Sequence, residues 1–128
     1  MPSAHLIDDD EATRRYLRRA LERAGWTVTE SVDGRDAVAD VTRVKPDVVL
    51  LDVTMPGPDG WTVLERLRSA AGDVRVVMLT GRAAHDDVIR ARRAGADDFV
   101  AKPVEVDVLL GRLDDLLARR RREGRWLL

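Results

Sequence analysis

Four short apolar runs each end on a residue suited to phosphate or metal chemistry. Leu6-Ile7 runs into Asp8-Asp9, Val48 to Leu51 into Asp52, Val74 to Leu79 into Thr80, and Phe99 to Ala101 into Lys102. Carboxylates bind hard cations, an ammonium neutralises anionic oxygens, and a threonine hydroxyl donates a hydrogen bond. If the runs are parallel strands, all four endings fall along one edge of one sheet, where open α/β sheets bind ligands.

Asp8, Asp9 and Asp52 would then share a small volume. Unit charges about 4 Å apart repel by roughly 4 kcal/mol at an effective dielectric near 20, so the group needs a counter-charge. Mg²⁺ is the natural one, with Mn²⁺ as the alternative, since a hard divalent ion takes a couple of carboxylates, waters and a substrate phosphate. Lys102 adds a second cation, and the Thr80 hydroxyl a donor. A plainer reading exists for single aspartates, which often cap helices after strands, as Asp10 with Glu11 suits the first helix here. Capping accounts neither for the lysine nor for an aspartate placed before Val53-Thr54-Met55-Pro56.

Helical patterns separate the runs. Tyr16, Leu17, Ala20, Leu21 and Ala24 recur at helical spacing before a stop at Gly25, and Ala37, Val38 and Val41 mark a second helix opened near Asp33 and halted before Pro46. Trp61, Val63, Leu64 and Leu67 give a third, entered from Gly57-Pro58-Asp59-Gly60. Val88, Ile89, Ala91 and Arg92 give a short fourth, stopped at Gly95, and Val106, Leu109, Leu110, Leu113, Leu116 and Leu117 the fifth. Strands are expected at about 4 to 7, 26 to 30, 48 to 51, 74 to 79 and 97 to 101. The third is continuously apolar, as a strand covered on both faces should be, whereas the second alternates like an edge strand. Five alternations of strand and helix predict a three-layer α/β sandwich around a parallel sheet.

At 128 residues and 14.3 kDa the chain suits a single core without staples. Cysteine is absent, which excludes disulfides, thiolate catalysis and cysteine-ligated metals. A net charge of -1 argues against direct binding of nucleic acid by the chain as a whole, and no apolar run approaches the roughly 18 residues that span a bilayer. Met1 to His5 does not read as a secretory signal, so the expected compartment is the cytoplasm.

The motifs resemble a known family. Leu-Ile-Asp-Asp-Asp-Glu at 6–11, Asp-Val-Thr-Met-Pro-Gly-Pro-Asp-Gly at 52–60, Thr-Gly at 80–81 and Gly-Ala-Asp-Asp-Phe-Val-Ala-Lys-Pro at 95–103 are similar to receiver domains of bacterial two-component response regulators. The resemblance runs to about residue 118 and implies a flavodoxin-like (βα)5 fold with strand order 2-1-3-4-5. It implies that Asp52 accepts a phosphoryl group from a phosphohistidine of a sensor histidine kinase. Asp9, Asp52 and the Thr54 carbonyl would ligate Mg²⁺, Asp8 would act mainly through metal-bound water, and Lys102 would hold a phosphoryl oxygen. Such a domain is a phosphoacceptor switch that assists its own phosphorylation and dephosphorylation rather than a turnover enzyme.

The same resemblance assigns Thr80 and Phe99 to a switch acting on the face of the fourth helix, fifth strand and fifth helix. It implies a cis bond at Lys102-Pro103. Gly81 leaves room for the phosphoryl group, and Arg82, with Thr54, sits where the family tunes access of water to it. The same face is where members fused to DNA-binding domains dimerise through charge pairs. Asp98 and Arg112 are candidates for one such pair, although Val88 and Val108 are apolar where another is expected. His85 reads as an exposed residue at a helix start. Residues 119–128, with arginines at 119 to 122 and 125, are expected to form a basic extension or linker, leading to an effector that is fused or separate.

Two other classes remain as alternatives. A small phosphatase of the haloacid dehalogenase type would use Asp8 as nucleophile and Asp10 as acid/base with Thr80 and Lys102, but leaves Asp52 idle. A pseudo-receiver that takes no phosphate would be expected to lack Asp52, Lys102 or an acid-pocket residue, and all are present.

Overall fold

Successive side chains of a strand point to opposite faces, so a strand buried at every position has to be covered twice. Val48–Asp52 is such a strand, and the rest of the chain is arranged around it. A computed structural model describes residues 1–81 and 85–119, with the backbone alone at His85. Arg82, the His85 side chain and the tail beyond Arg119 lie outside the described residues.

The elements alternate without exception: β1 (Ser3–Ile7), α1 (Glu11–Arg23), β2 (Thr27–Ser31), α2 (Ala37–Val44), β3 (Val48–Asp52), α3 (Gly60–Ala70), β4 (Arg75–Thr80), α4 (His85–Ala94), β5 (Asp98–Ala101) and α5 (Val106–Ala118). All strand pairs are parallel, in the order β2-β1-β3-β4-β5. The edge position expected of the second strand is therefore observed. Trp26, expected at its start, precedes it as a buried core residue instead.

Two apolar layers follow from the pleat. Leu6, Val48, Leu50, Val77 and Leu79 pack with Leu17 and Leu21 of α1 and Leu109, Leu113 and Leu116 of α5. Ile7, Val49, Leu51, Val76 and Met78 pack with Val41 of α2, Val63, Leu64 and Leu67 of α3, and Ala91 of α4. Each such leucine contributes on the order of 2 kcal/mol by leaving water.

Caps set the helix limits. Asp10 accepts from the Thr13 amide at 3.2 Å and from its hydroxyl, opening α1, while Asp59 accepts from the Thr62 amide at 2.9 Å, opening α3. Gly25 and Gly95, at φ 91° and 95°, follow the ends of α1 and α4. The second helix starts later than Asp33, whose carboxylate instead accepts from the Arg35 amide in the preceding turn. Lys102-Pro103 is cis, and α5 begins three residues beyond Pro103, at Val106. Arg68 of α3 ties its helix to the sheet, bonding the Gly95 and Val74 carbonyls and the buried Asp97 carboxylate, which also accepts from the Val76 amide.

A polar row lies under α2. The buried His5 ring sits 2.6 Å from Thr29 Oγ1 through Nδ1 and 2.7 Å from Ser31 Oγ through Nε2, and the Ser31 hydroxyl donates to Asp40 at 2.6 Å. Because Ser31 spends its one proton on Asp40, His5 must carry its own on Nε2, and Nδ1 accepts from Thr29. Burial pulls the His5 pKa below its ordinary 6.5; the Asp40 and Glu30 charges oppose this and the Arg43 charge adds to it. Below pH 6.5 the unfolded chain thus binds a proton that the fold excludes, so stability falls as pH drops, until the lowered folded value is reached. The urea midpoint is expected to fall between about pH 7.5 and pH 5.5, and His5→Gln to flatten that slope.

Candidate functional site

Register brings the strand endings together. Ile7 pairs with Leu51, so Asp8 and Asp52 leave adjacent strands at the same level, and Asp52 pairs with Leu79. Thr80 pairs with Ala101, which sets Lys102 one residue beyond the end of β5. The expected row of functional residues is therefore on one edge, and side chains close it further.

Lys102 Nζ donates to Asp8 Oδ2 and to Asp52 Oδ1, each at 3.0 Å. Asp8 and Asp52 are 3% and 6% exposed. Asp9 is exposed, yet one oxygen from each of the three carboxylates lies within 4.8 Å of the others. Burial pushes the Asp52 carboxyl above its ordinary value; the hydrogen bond from Lys102 opposes that shift, and the Asp8 and Asp9 charges add to it. Burial works against the Lys102 ammonium too, but hydrogen bonds and attraction from Asp8 and Asp52 outweigh it, and its pKa is raised. One cation thus serves two buried anions, and a third anion stands beside them.

The backbone beneath is constrained as tightly. The Asp8 amide donates to the Ser31 carbonyl at 3.3 Å, its Oδ1 accepts from the Asp10 amide at 2.9 Å, and its carbonyl accepts from Arg14 Nη1 at 2.8 Å. At the end of β3, the Val53 amide donates to the Leu79 carbonyl at 3.0 Å and the Gly60 amide to the Val53 carbonyl at 2.9 Å. A Cβ at Gly60 would overlap the Asp52 carbonyl oxygen and lie 2.7 Å from Val53 Cα. Only glycine lets the start of α3 close on the end of β3.

The remaining candidates divide into neighbours and distant residues. Thr54 is exposed in the loop after β3 and, with Val53, Met55, Thr80, Trp61 and Arg90, lines a cleft of about 500 Å³ beside the site. Thr80 is 4% exposed, and its carbonyl accepts from the Lys102 amide at 2.6 Å. Open space surrounds the position where a Cβ of Gly81 would stand. Phe99 is buried in the same apolar layer as Leu51, Met55 and Met78 and pairs with Met78 across β4 and β5. Arg82 lies outside the described residues, so its approach to the site is not described. Asp98 and Arg112 pair with each other inside the chain, at 2.9 Å, instead of standing free for a second copy. Asp10, the acid/base of the phosphatase alternative, is occupied as the α1 cap and is not among the clustered carboxylates.

Sequence reasoning missed Arg14. Helical side chains lean toward the N-terminus of their helix, so an arginine four residues after the cap Asp10 reaches back over the β1–α1 turn. That spacing was the available signal.

A doubly wound parallel sheet carrying an acidic cluster and a lysine on its carboxyl edge defines a class of phosphate-handling domain, and comparison with known proteins narrows it. The pattern of the response regulator receiver domain matches residues 4–114, and the chain belongs to that family of signalling domains. It is 40% identical over 114 residues to response regulator MprA of Mycolicibacterium vanbaalenii, covering 89% of this chain and 49% of that protein. It is 37% identical over 119 residues to the transcriptional regulatory protein PrrA of Mycobacterium leprae, covering 93% of this chain and 51% of that one. The chain spans about half the length of the curated relatives it matches. The solved receiver domain of the Francisella response regulator 1452 superposes with a TM-score of 0.88 at 28% identity, over 93% of this chain and 98% of that one.

The charge imbalance at the edge sets an expectation for stability. Asp52, raised above its unfolded value, favours the fold only while protonated, so at neutral pH its ionised form weakens it. Asp52→Asn is expected to raise metal-free stability by about 1 kcal/mol, as relieving a strained functional group commonly does. Lys102→Met, which strands two buried carboxylates, is expected to cost about 3 kcal/mol. Denaturant midpoints in a chelator-containing buffer at neutral pH check both.

Proposed function

We propose that this chain is the phosphoacceptor module of a two-component system, with Asp52 as acceptor. The observation that carries the proposal is the Lys102 ammonium held 3.0 Å from both Asp8 and Asp52, with Asp9 alongside. A carboxylate oxygen of Asp52 attacks phosphorus in line; the new O–P bond forms as the P–N bond of a kinase phosphohistidine breaks, and the electron pair leaves on the imidazole nitrogen. Such transfer asks mainly for positioning and neutralisation of charge. Lys102 holds one phosphoryl oxygen and the Thr80 hydroxyl another, while Gly81 keeps the approach open. Hydrolysis returns the carboxylate when water attacks phosphorus and the bond to Asp52 breaks, with Thr54 and Arg82 at the sequence positions proposed to tune how readily water reaches it.

The donor set fits a hard divalent cation: three carboxylates with ligand atoms inside 4.8 Å and no sulfur or nitrogen among them. Asp9, Asp52 and the Thr54 carbonyl would hold Mg²⁺, or Mn²⁺ in its place, with Asp8 in support. When bound, the ion supplies the positive charge that offsets the phosphoryl oxygens and the crowded carboxylates.

Output is proposed to run through Thr80 and Phe99 to the face of α4, β5 and α5. Moving a two-state element from 1:99 to 99:1 takes roughly 5.5 kcal/mol, a scale that a new dianionic group held by an ammonium and a hydroxyl can supply. This face is also the proposed homodimer contact. Val108 is exposed there, and Val88 half-buried, which favours an apolar contribution beside any charged one. Residues 1–118 form the receiver and 119–128 an extension or linker. Likeness to relatives named transcriptional regulators supports an effector, fused or separate, that acts on transcription. Among the described residues no helix is long and apolar enough to cross a membrane, and the proposed setting is the cytoplasm.

Incubation with Mg²⁺ and a small acyl phosphate is expected to add one base-labile phosphoryl group per chain, read by intact mass. Asp52→Asn is expected to add none. Equal labelling of that variant, or continuous turnover of phosphate esters, overturns the assignment.

A further inference from the structure

Asp9 is the least supported member of the cluster. Asp8 and Asp52 are gripped by Lys102, but the exposed Asp9 carboxylate has no hydrogen-bond partner among the described residues. Its position is therefore set by the backbone that carries it. The peptide unit that decides this is the one joining Asp8 to Asp9, whose carbonyl oxygen belongs to Asp8 and whose amide belongs to Asp9. β1 ends at Ile7, so no ladder bond reaches that carbonyl. Arg14 Nη1 supplies the missing donor at 2.8 Å, from one turn into α1.

Arg14 is itself held in place. Its Nε donates to Glu30 Oε1 at 2.8 Å, and Glu30 Oε2 accepts from Arg18 Nε at 2.6 Å. Arg18 Nη1 is anchored in turn on the Val28 carbonyl at 3.1 Å. Both oxygens of one half-buried carboxylate on β2 are thus engaged by two arginines four residues apart on one helix face. The side chain of Arg14 is only 13% exposed, so this geometry is well shielded from water. A planar guanidinium bonded in two directions fixes the plane it touches better than an ammonium can.

We infer that Arg14 is a positioning residue for the metal site, fixing the Asp8–Asp9 peptide so that the otherwise unsupported Asp9 carboxylate faces Asp8 and Asp52. The inference rests on the proposed metal-binding role of these carboxylates. Groups that orient ligands without touching the ion commonly change affinity about 10-fold or more when removed. Arg18 provides the internal comparison, since it grips the same glutamate but does not touch the Asp8 carbonyl.

Mg²⁺ titration by calorimetry, with thermal melts of the same samples, tests this. Arg14→Met is expected to weaken Mg²⁺ binding about 10-fold, Arg14→Lys less, and Arg18→Met no more than about 2-fold despite a comparable loss of melting temperature. Unchanged affinity in Arg14→Met, or equal weakening in Arg14→Met and Arg18→Met, overturns the inference while leaving the metal site standing. A wild-type chain that takes up no Mg²⁺ overturns the metal reading and this inference with it, so the wild-type isotherm separates the two failures. If Arg14→Met does not fold, Glu30→Gln carries the comparison. It is expected to weaken binding measurably, and unchanged affinity there overturns the inference.

Discussion

The bridge from Lys102 to Asp8 and Asp52 is the contact on which the arrangement of this edge depends. It joins residues separated by 94 and 50 positions, and it forms only if the ends of β1, β3 and β5 reach one level. The parallel order β2-β1-β3-β4-β5 does this by setting β1 and β3 side by side and β5 two strands beyond β3, within reach of a lysine side chain. Lysine is the right length for that span, and its ammonium can serve two carboxylates at once. The bridge leaves the cluster two positive charges short, since one ammonium faces three carboxylates in the described contacts. An excess of negative charge in so small a volume favours the arrival of a cation.

Holding like charges together requires rigidity from the surroundings. The two apolar layers supply it, because β3 is buried on both faces and ends directly in Asp52. The approach of α3 supplies more: with no side chain at Gly60, the helix start bonds the Val53 carbonyl and leaves Asp52 little freedom to retreat. Packing this close keeps the Asp52 carboxyl out of water, and that burial, with the Asp8 and Asp9 charges, raises its pKa against the opposing hydrogen bond from Lys102. Stability is generated in the layers and partly given up at the edge. The same division accounts for the placement of polar groups: His5, Thr29, Ser31 and Asp40 are linked by hydrogen bonds in one row under α2, whereas the Asp9 carboxylate has no partner among the described residues.

Much of this was legible in the sequence because its signals are local and redundant. Continuous apolarity marked β3 as doubly covered, glycines at 25 and 95 marked the ends of α1 and α4, and the residues following the strands marked the edge where the carboxylates meet. The strand order came from family resemblance, since alternation alone is compatible with other windings of the sheet. What sequence did not disclose were contacts that depend on side-chain reach across elements. Arg68 on Asp97 and the His5 row join residues whose spacing carries no period, and the spacing of Arg14 from the Asp10 cap says which way its side chain leans but not that it meets the Asp8 carbonyl. Asp33 shows the converse failure: an aspartate before a helix is an equally good turn former, and here the turn prevailed.

The pairing of Asp98 with Arg112 bears on how the edge communicates with the rest of the molecule. Both residues sit on the face proposed for output, and Arg112 also donates to the Phe99 carbonyl at 3.3 Å, so α5 is fastened to the middle of β5. That strand has only four residues, from Asp98 to Ala101, and the next residue is Lys102, whose amide is bonded to the Thr80 carbonyl. A displacement of Lys102 or Thr80 has almost no chain in which to dissipate before it meets Phe99 and the arginine contact. Because this pair is satisfied within one chain, a second copy has to compete for it, whereas the exposed Val108 can be buried by a partner without breaking anything. On this face the apolar contact is therefore the one available at no electrostatic cost, and charge is better suited to selecting the partner than to holding it.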